Sequence, residues 1–118
     1  MTVVDVLTHT SGLSYGFDPA GIINPVDAIY AKSLDQSKGL LAWADQLAGL
    51  PLFFQPSSCW HYGYNTDICG ALVEAISGMP FEEYLRRKVF APLGMVDSGM
   101  WVPPEKRRQF HVEMMILQ

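Results

Sequence analysis

From Asp67 to Ser77 the chain carries its clearest helical signal, and the punctuation around that stretch decides how its neighbours read. Asn65 or Thr66 can cap the start, Asp67 stands at the positive end of the helix dipole, and Gly78 supplies a stop. Pro80 then opens a helix from Phe81 to about Val89, ended by Pro92 and Gly94. The same grammar recurs upstream. Thr2 and Asp5 have the spacing of a capping box for a short helix ending near Leu7. Asn24-Pro25-x-Asp27 starts a helix that runs to about Lys32, after a loop from Ser14 to Ile23. Leu40, Leu41, Trp43, Ala44, Leu47 and Ala48 repeat at helical spacing until Gly49 and Pro51 stop them. Against this stand at most two short extended pieces, among them Leu52-Phe53-Phe54. A self-contained α/β enzyme needs several buried strands. The expected fold is therefore mainly α, and the shortage of strands points to one part of a larger fold.

Size and composition narrow the function. With 118 residues the chain can bury one core but not two. Hydrophobic residues make up 49% and charged residues 17%, enough apolar surface to offset ordering entropy, so a disordered chain is excluded. The net charge of −4 and the absence of a basic stripe argue against a nucleic-acid partner. The longest apolar run, Gly39 to Phe54, is interrupted by Asp45, Gln46 and Pro51, so no membrane span is expected. No basic segment leads into a hydrophobic stretch at the N-terminus, so no export signal is visible and a cytoplasmic setting is favoured over export. Cys59 and Cys69 are too few for a zinc site or disulfide framework and read as buried free thiols.

Three stretches in fixed order carry a resemblance. Val3-Val4-Asp5-Val6-Leu7-Thr8-His9-Thr10-Ser11-Gly12-Leu13 runs from helix into turn. Trp60-x-Tyr62 is followed by Asp67-x-x-Gly70 and Glu74-x-x-x-Gly78. Pro80 to Leu85 leads to Phe90-Ala91-Pro92-Leu93-Gly94-Met95. Together they resemble the β-lactamase-related serine hydrolases, a family that includes class C β-lactamases, family VIII carboxylesterases and transesterases. The resemblance implies the helical lobe of the β-lactamase-like α/β fold, as a partial domain over residues 1–108, with 109–118 as an unmatched tail. It also implies acyl transfer through a serine of a Ser-x-x-Lys motif, without cofactor or metal, on a small-molecule ester or amide. A tyrosine coupled to that lysine moves the proton, because a free phenol with a pKa near ~10 is a poor base at neutral pH without a nearby cation. By motif, Tyr62 is that tyrosine.

Two departures shape the expectation. The position two residues after the tyrosine, where β-lactamases carry an amide-holding asparagine, is Tyr64 here. It reads as a substrate-binding residue of the esterase and transesterase branch, and Asn65 comes one residue late to replace the asparagine. Secondly, no serine has a lysine three positions on: Lys32, Lys38, Lys88 and Lys106 are preceded there by Ile29, Asp35, Leu85 and Pro103. The chain is therefore expected to be an internal fragment of a serine acyl-hydrolase, with Tyr62 as general base and the nucleophile lying before Met1. The alternative is a truncated or degenerate, non-catalytic relative that acts at most as a binding module.

Other residues invite rival readings. Gly12-Leu13-Ser14-Tyr15-Gly16 fits the G-x-S-x-G pattern, but a nucleophile elbow needs a strand before the serine and a helix directly after it. The preceding segment reads as a capped helix, so Ser14 is taken as a chance match. His9 reads as a turn-bracing residue and His61 as a packed ring, while His111 lies in the tail. Trp43, Trp60 and Trp101 read as core or pocket wall. Asp67 and Glu74 are too far apart on their helix, with no histidine between, to form a metal pair. Leu72, Val73 and Ile76 are expected to meet Trp43 and Leu47 in the core.

Overall fold

Helices make up all of the regular secondary structure among the described residues, which in this computed structural model are 1–16, 25–33 and 35–109. The chain divides into two units, Met1–Phe81 and Glu82–Gln118. The expected loop before Pro25, beyond Gly16, and the Asn24 cap lie outside the described residues, as does the tail from residue 110.

In the first unit, α1 spans Val3–Leu7 and owes its start to the expected capping box. The Asp5 N–H donates to the Thr2 hydroxyl at 3.2 Å, and the Thr2 N–H donates to the Asp5 carboxylate at 2.7 Å. Such reciprocal bonds satisfy two of the amide groups that every helix start leaves open. Helix α2 (Pro25–Ser33) begins at its proline, and α3 (Leu40–Ala48) stops at Gly49. Helix α4 covers Asn65–Ser77 and ends on Gly78 at φ 66°, a left-handed conformation that glycine adopts without strain.

The core is small. Leu13, Tyr30, Trp43 and Leu47 are buried together, with Ile68 and Tyr64 packed against them. Helix α4 lies against both α1 and α3. Gly70 lets the helices pack closely at that crossing, since a Cβ there would sit 3.3 Å from the Phe81 ring and 3.4 Å from the Leu40 methyl. Leu40 thus meets α4 near Gly70, whereas Trp43, farther along α3, meets Tyr64 just before α4 begins. The two helices run in opposite senses, so the last turns of α4 pass beyond the start of α3. That overhang overturns one sequence expectation: Ile76 is 83% exposed, and Leu72 and Val73 are only partly buried. Ile68 and Ala71 take the inward places instead.

The second unit continues α5 (Phe81–Leu85) directly into a π-helical turn, Arg86–Phe90, closed by the Ala91 N–H on the Arg86 carbonyl at 2.9 Å. Sequence reasoning read one regular helix here, and the wider turn inserts a residue into it. Arg86 (2.8 and 2.7 Å) and Arg87 both donate to the Glu83 carboxylate, which holds that carboxyl down at about 2. No described residue from 82 to 106 is fully buried. Trp101, expected in a core or pocket wall, is 60% exposed and lines a surface pocket with Val96, Pro103 and Lys106.

Candidate active site

The site grows from the turn that follows α1. His9 is a non-glycine residue in left-handed conformation, at φ 57°, and it sends the chain back along the segments around Phe54 and Tyr62. Backbone bonds clip residues 9–14 in place. The amides of His61, Ser57 and Phe53 donate to the carbonyls of His9 (2.9 Å), Thr10 (2.8 Å) and Gly12 (2.7 Å). Tyr64 N–H reaches the Ser14 carbonyl at 3.3 Å. Two glycines make the fit possible, since a Cβ on Gly12 would overlap the Phe54 carbonyl and one on Gly63 would overlap that of Leu13. No ladder forms, yet the strips lie as close as strands.

Below this clip, Asn65 is buried at the first turn of α4. Its side chain does not cap the helix, contrary to the sequence expectation. The carboxamide oxygen accepts from the Ser11 hydroxyl, and its nitrogen stands 3.1 Å from His9 Nδ1. Ser11 in turn accepts from the Leu13 N–H at 3.1 Å. Long-range partners outcompete local capping because a buried carboxamide left unpaired is costly.

Above it rises a column of rings. His9 stacks on Tyr62 (5.0 Å, 23°), Tyr62 on Tyr15 (5.8 Å, 13°), and Tyr15 on Tyr64 (4.4 Å, 19°). Tyr64 continues to Tyr30 at 6.5 Å and meets Trp43 edge-on at 5.0 Å. The column runs from the surface, where Tyr62 is 56% exposed, to Tyr30 in the core. The Asp67 carboxylate, in the first turn of α4, pushes the Tyr15 phenol up, helped by burial and by Tyr62. Burial first, then Tyr15 and Asp67, pushes Tyr64 up. Both therefore stay protonated at neutral pH.

The residues singled out from sequence separate cleanly. Tyr62 and Tyr64 are brought together through Tyr15, which sequence reasoning passed over because it sat inside the rejected G-x-S-x-G match; the aromatic spacing of Tyr62 and Tyr64 holds no hint of it. Ser14 is fully buried, donates to the Asp27 carboxylate and accepts from Gly16 N–H, with no histidine bonded to it. His61 stacks on Phe53 at 4.8 Å, as a packed ring. Glu74 accepts the Phe81 N–H at 3.0 Å and so braces the start of α5. Among the described residues no group of three metal-ligating side chains comes together. Trp60, expected in a core or pocket wall, is 65% exposed and lies tilted against His9 at 5.9 Å, while Cys59 is exposed and Cys69 half-buried, against the expectation of buried thiols. Both cysteines are free.

The helical first unit thus carries the His-Thr-Ser-Gly turn against an outward tyrosine. The chain belongs to the beta-lactamase family, whose model matches residues 1–113. It is 36% identical over 107 residues to Protein Rv1367c of Mycobacterium tuberculosis, covering 91% of this chain and 26% of that protein. It is 36% identical to the lovastatin esterase of Penicillium rubens, over 86% of this chain and 24% of the esterase. The fold matches EstCE1, a hydrolase with promiscuous acyltransferase activity, at TM-score 0.70 and 24% identity, over 90% of this chain and 28% of EstCE1. The chain thus spans about a quarter of the length of the curated relatives it matches. Among the described residues no helix is long and apolar enough to cross a membrane.

Proposed function

We propose that this chain supplies the tyrosine of a serine acyl-hydrolase or acyl-transferase site that acts on small-molecule esters. Tyr62 is the general base, and the nucleophile comes from a Ser-x-x-Lys segment outside residues 1–118. The serine hydroxyl attacks the ester carbonyl while its proton passes to the Tyr62 phenolate oxygen. Collapse of the tetrahedral adduct expels the alkoxide, which takes that proton back, and the acyl group stays on serine until water or another alcohol accepts it. The observation that carries this reading is the outward presentation of Tyr62 between two rings, while Ser14, the rival nucleophile, is buried against Asp27. The esterase named among the relatives supports the substrate class.

Ester rather than β-lactam chemistry follows from Asn65. Its carboxamide is buried and turned to Ser11 and His9, so it does not face the surface where a substrate amide would lie. In this reading Tyr64, half-buried against Tyr15, lines the substrate side in its place.

The test is hydrolysis of a short-chain p-nitrophenyl ester and of a chromogenic β-lactam. The 118-residue chain should turn over neither. A longer polypeptide with the Ser-x-x-Lys segment should cleave the ester, and Tyr62→Phe should lower its rate by roughly 10²–10⁴-fold. Turnover by the short chain that vanishes in Ser14→Ala would overturn the proposal.

A further inference from the structure

We propose that His9 is a positioning residue for Tyr62: its ring, oriented through Asn65 and Ser11, holds the Tyr62 phenol in the attitude needed for proton transfer. The proposal rests on the reading of Tyr62 as general base.

Tyr62 needs such a support. More than half of its surface is exposed, and an exposed side chain samples several rotamers. A general base, by contrast, must come within about 2.6–3.2 Å of the proton it takes. A misplacement of about 1 Å can cost on the order of 10²-fold in rate. The flanking faces of Tyr62 are His9 on one side and Tyr15 on the other.

His9 is held far more firmly than a turn requires. A left-handed turn position is filled as well by glycine or asparagine, so the backbone alone does not explain an imidazole. The hydrogen bonds do. They run in one direction: Leu13 N–H donates to Ser11 Oγ, Ser11 donates to Asn65 Oδ1, and Asn65 Nδ2 donates to His9 Nδ1. With the Asn65 oxygen occupied by a donor, its NH₂ group must face the imidazole. Nδ1 therefore accepts, and the ring proton sits on Nε2. The ring plane is fixed by that bond and by the left-handed backbone, whose carbonyl accepts from His61 at 2.9 Å. A residue buried in the helical lobe thereby sets the orientation of an exposed phenol.

The experiment uses the 118-residue chain with ¹⁵N-labelled histidine and ring-labelled tyrosine, observed by NMR. The His9 proton should sit on Nε2, and Tyr62 should show the ring-current shift of a stacked ring. In His9→Asn, which suits the left-handed backbone, that shift should disappear while core Tyr30 signals stay in place. In the longer, active polypeptide the same substitution should lower kcat by roughly 10- to 100-fold with KM unchanged. A His9 proton on Nδ1 overturns the proposal, and this measurement needs no variant if the substitution unfolds the chain. Unmoved Tyr62 signals in folded His9→Asn overturn the positioning role alone. Full activity in Tyr62→Phe overturns the base reading and the positioning role with it.

Discussion

The Ser14 hydroxyl donates to the Asp27 carboxylate, and both groups are buried. The bond ties the strip after Gly12 to the first turn of α2, where a carboxylate is also favoured by the helix dipole. Ser14→Ala removes a donor from a buried anion. We expect a loss of about 1–3 kcal/mol in urea denaturation. Ester turnover of the longer polypeptide should be unchanged at temperatures where the variant stays folded.

Gly63→Ala tests the backbone clip. The added methyl would overlap the Leu13 carbonyl, which is held on both sides and cannot retreat as a side-chain tip would. Forced overpacking of this kind costs about 1–3 kcal/mol. The Tyr62 and Tyr15 ring signals should shift with it, whereas Gly78→Ala, with open space around its Cβ, should cost only the strain of its left-handed backbone.

Asp5 should make the first unit acid-sensitive. Hydrogen bonds from Ser57, then Thr2, with Thr10 adding to them, lower its carboxyl from 3.8 to about 2. A carboxyl depressed on folding stabilises the native state above its unfolded value and loses that contribution as it is protonated. Stability from Asp5 is therefore complete above about pH 4 and drains away as pH falls to 2. Melting temperatures of the chain and of Asp5→Asn, compared from pH 5 to pH 2, should converge toward the acid end. Parallel curves would count against this.

Exposed apolar side chains should make the isolated chain adhesive. On α1, Val3, Val4 and Leu7 face solvent, and in the second unit Leu93, Val96, Met100 and Trp101 do so. Exposed apolar side chains of this size promote association. Size-exclusion chromatography should show self-association, and a hydrophobic dye should fluoresce with the chain at neutral pH. A dye-silent monomer would contradict it.

The helices were legible because their ends are written locally. Thr2 with Asp5, Pro25, Gly49 and Gly78 each act within one turn of chain, and each marks an end in the structure as it does in the sequence. Tyr62 was legible as a motif and is found outward and stacked. Asn65 was not: its two bonds reach back 54 and 56 residues, and local capping rules cannot see them. Ile76 was misplaced because helical spacing states which face points inward but not where the neighbouring helix begins. Tyr15, passed over inside the rejected G-x-S-x-G match, was hidden because its ring partners Tyr62 and Tyr64 lie almost fifty residues away.

That clip also sets an order of events. Its backbone bonds join His9 to His61, Thr10 to Ser57 and Ser14 to Tyr64, so about fifty residues of chain must close before any of them forms. Loop closure at that range costs entropy before contacts return it, and nonlocal pairing slows a chain whose helices form quickly. The longer helices of the first unit, α3 and α4, should thus appear early as fluctuating pieces, with the tyrosine column assembling last. Amides of His61 and Tyr64 would then report global unfolding in hydrogen exchange, and α1, only five residues long, would have no lifetime of its own ahead of that closure.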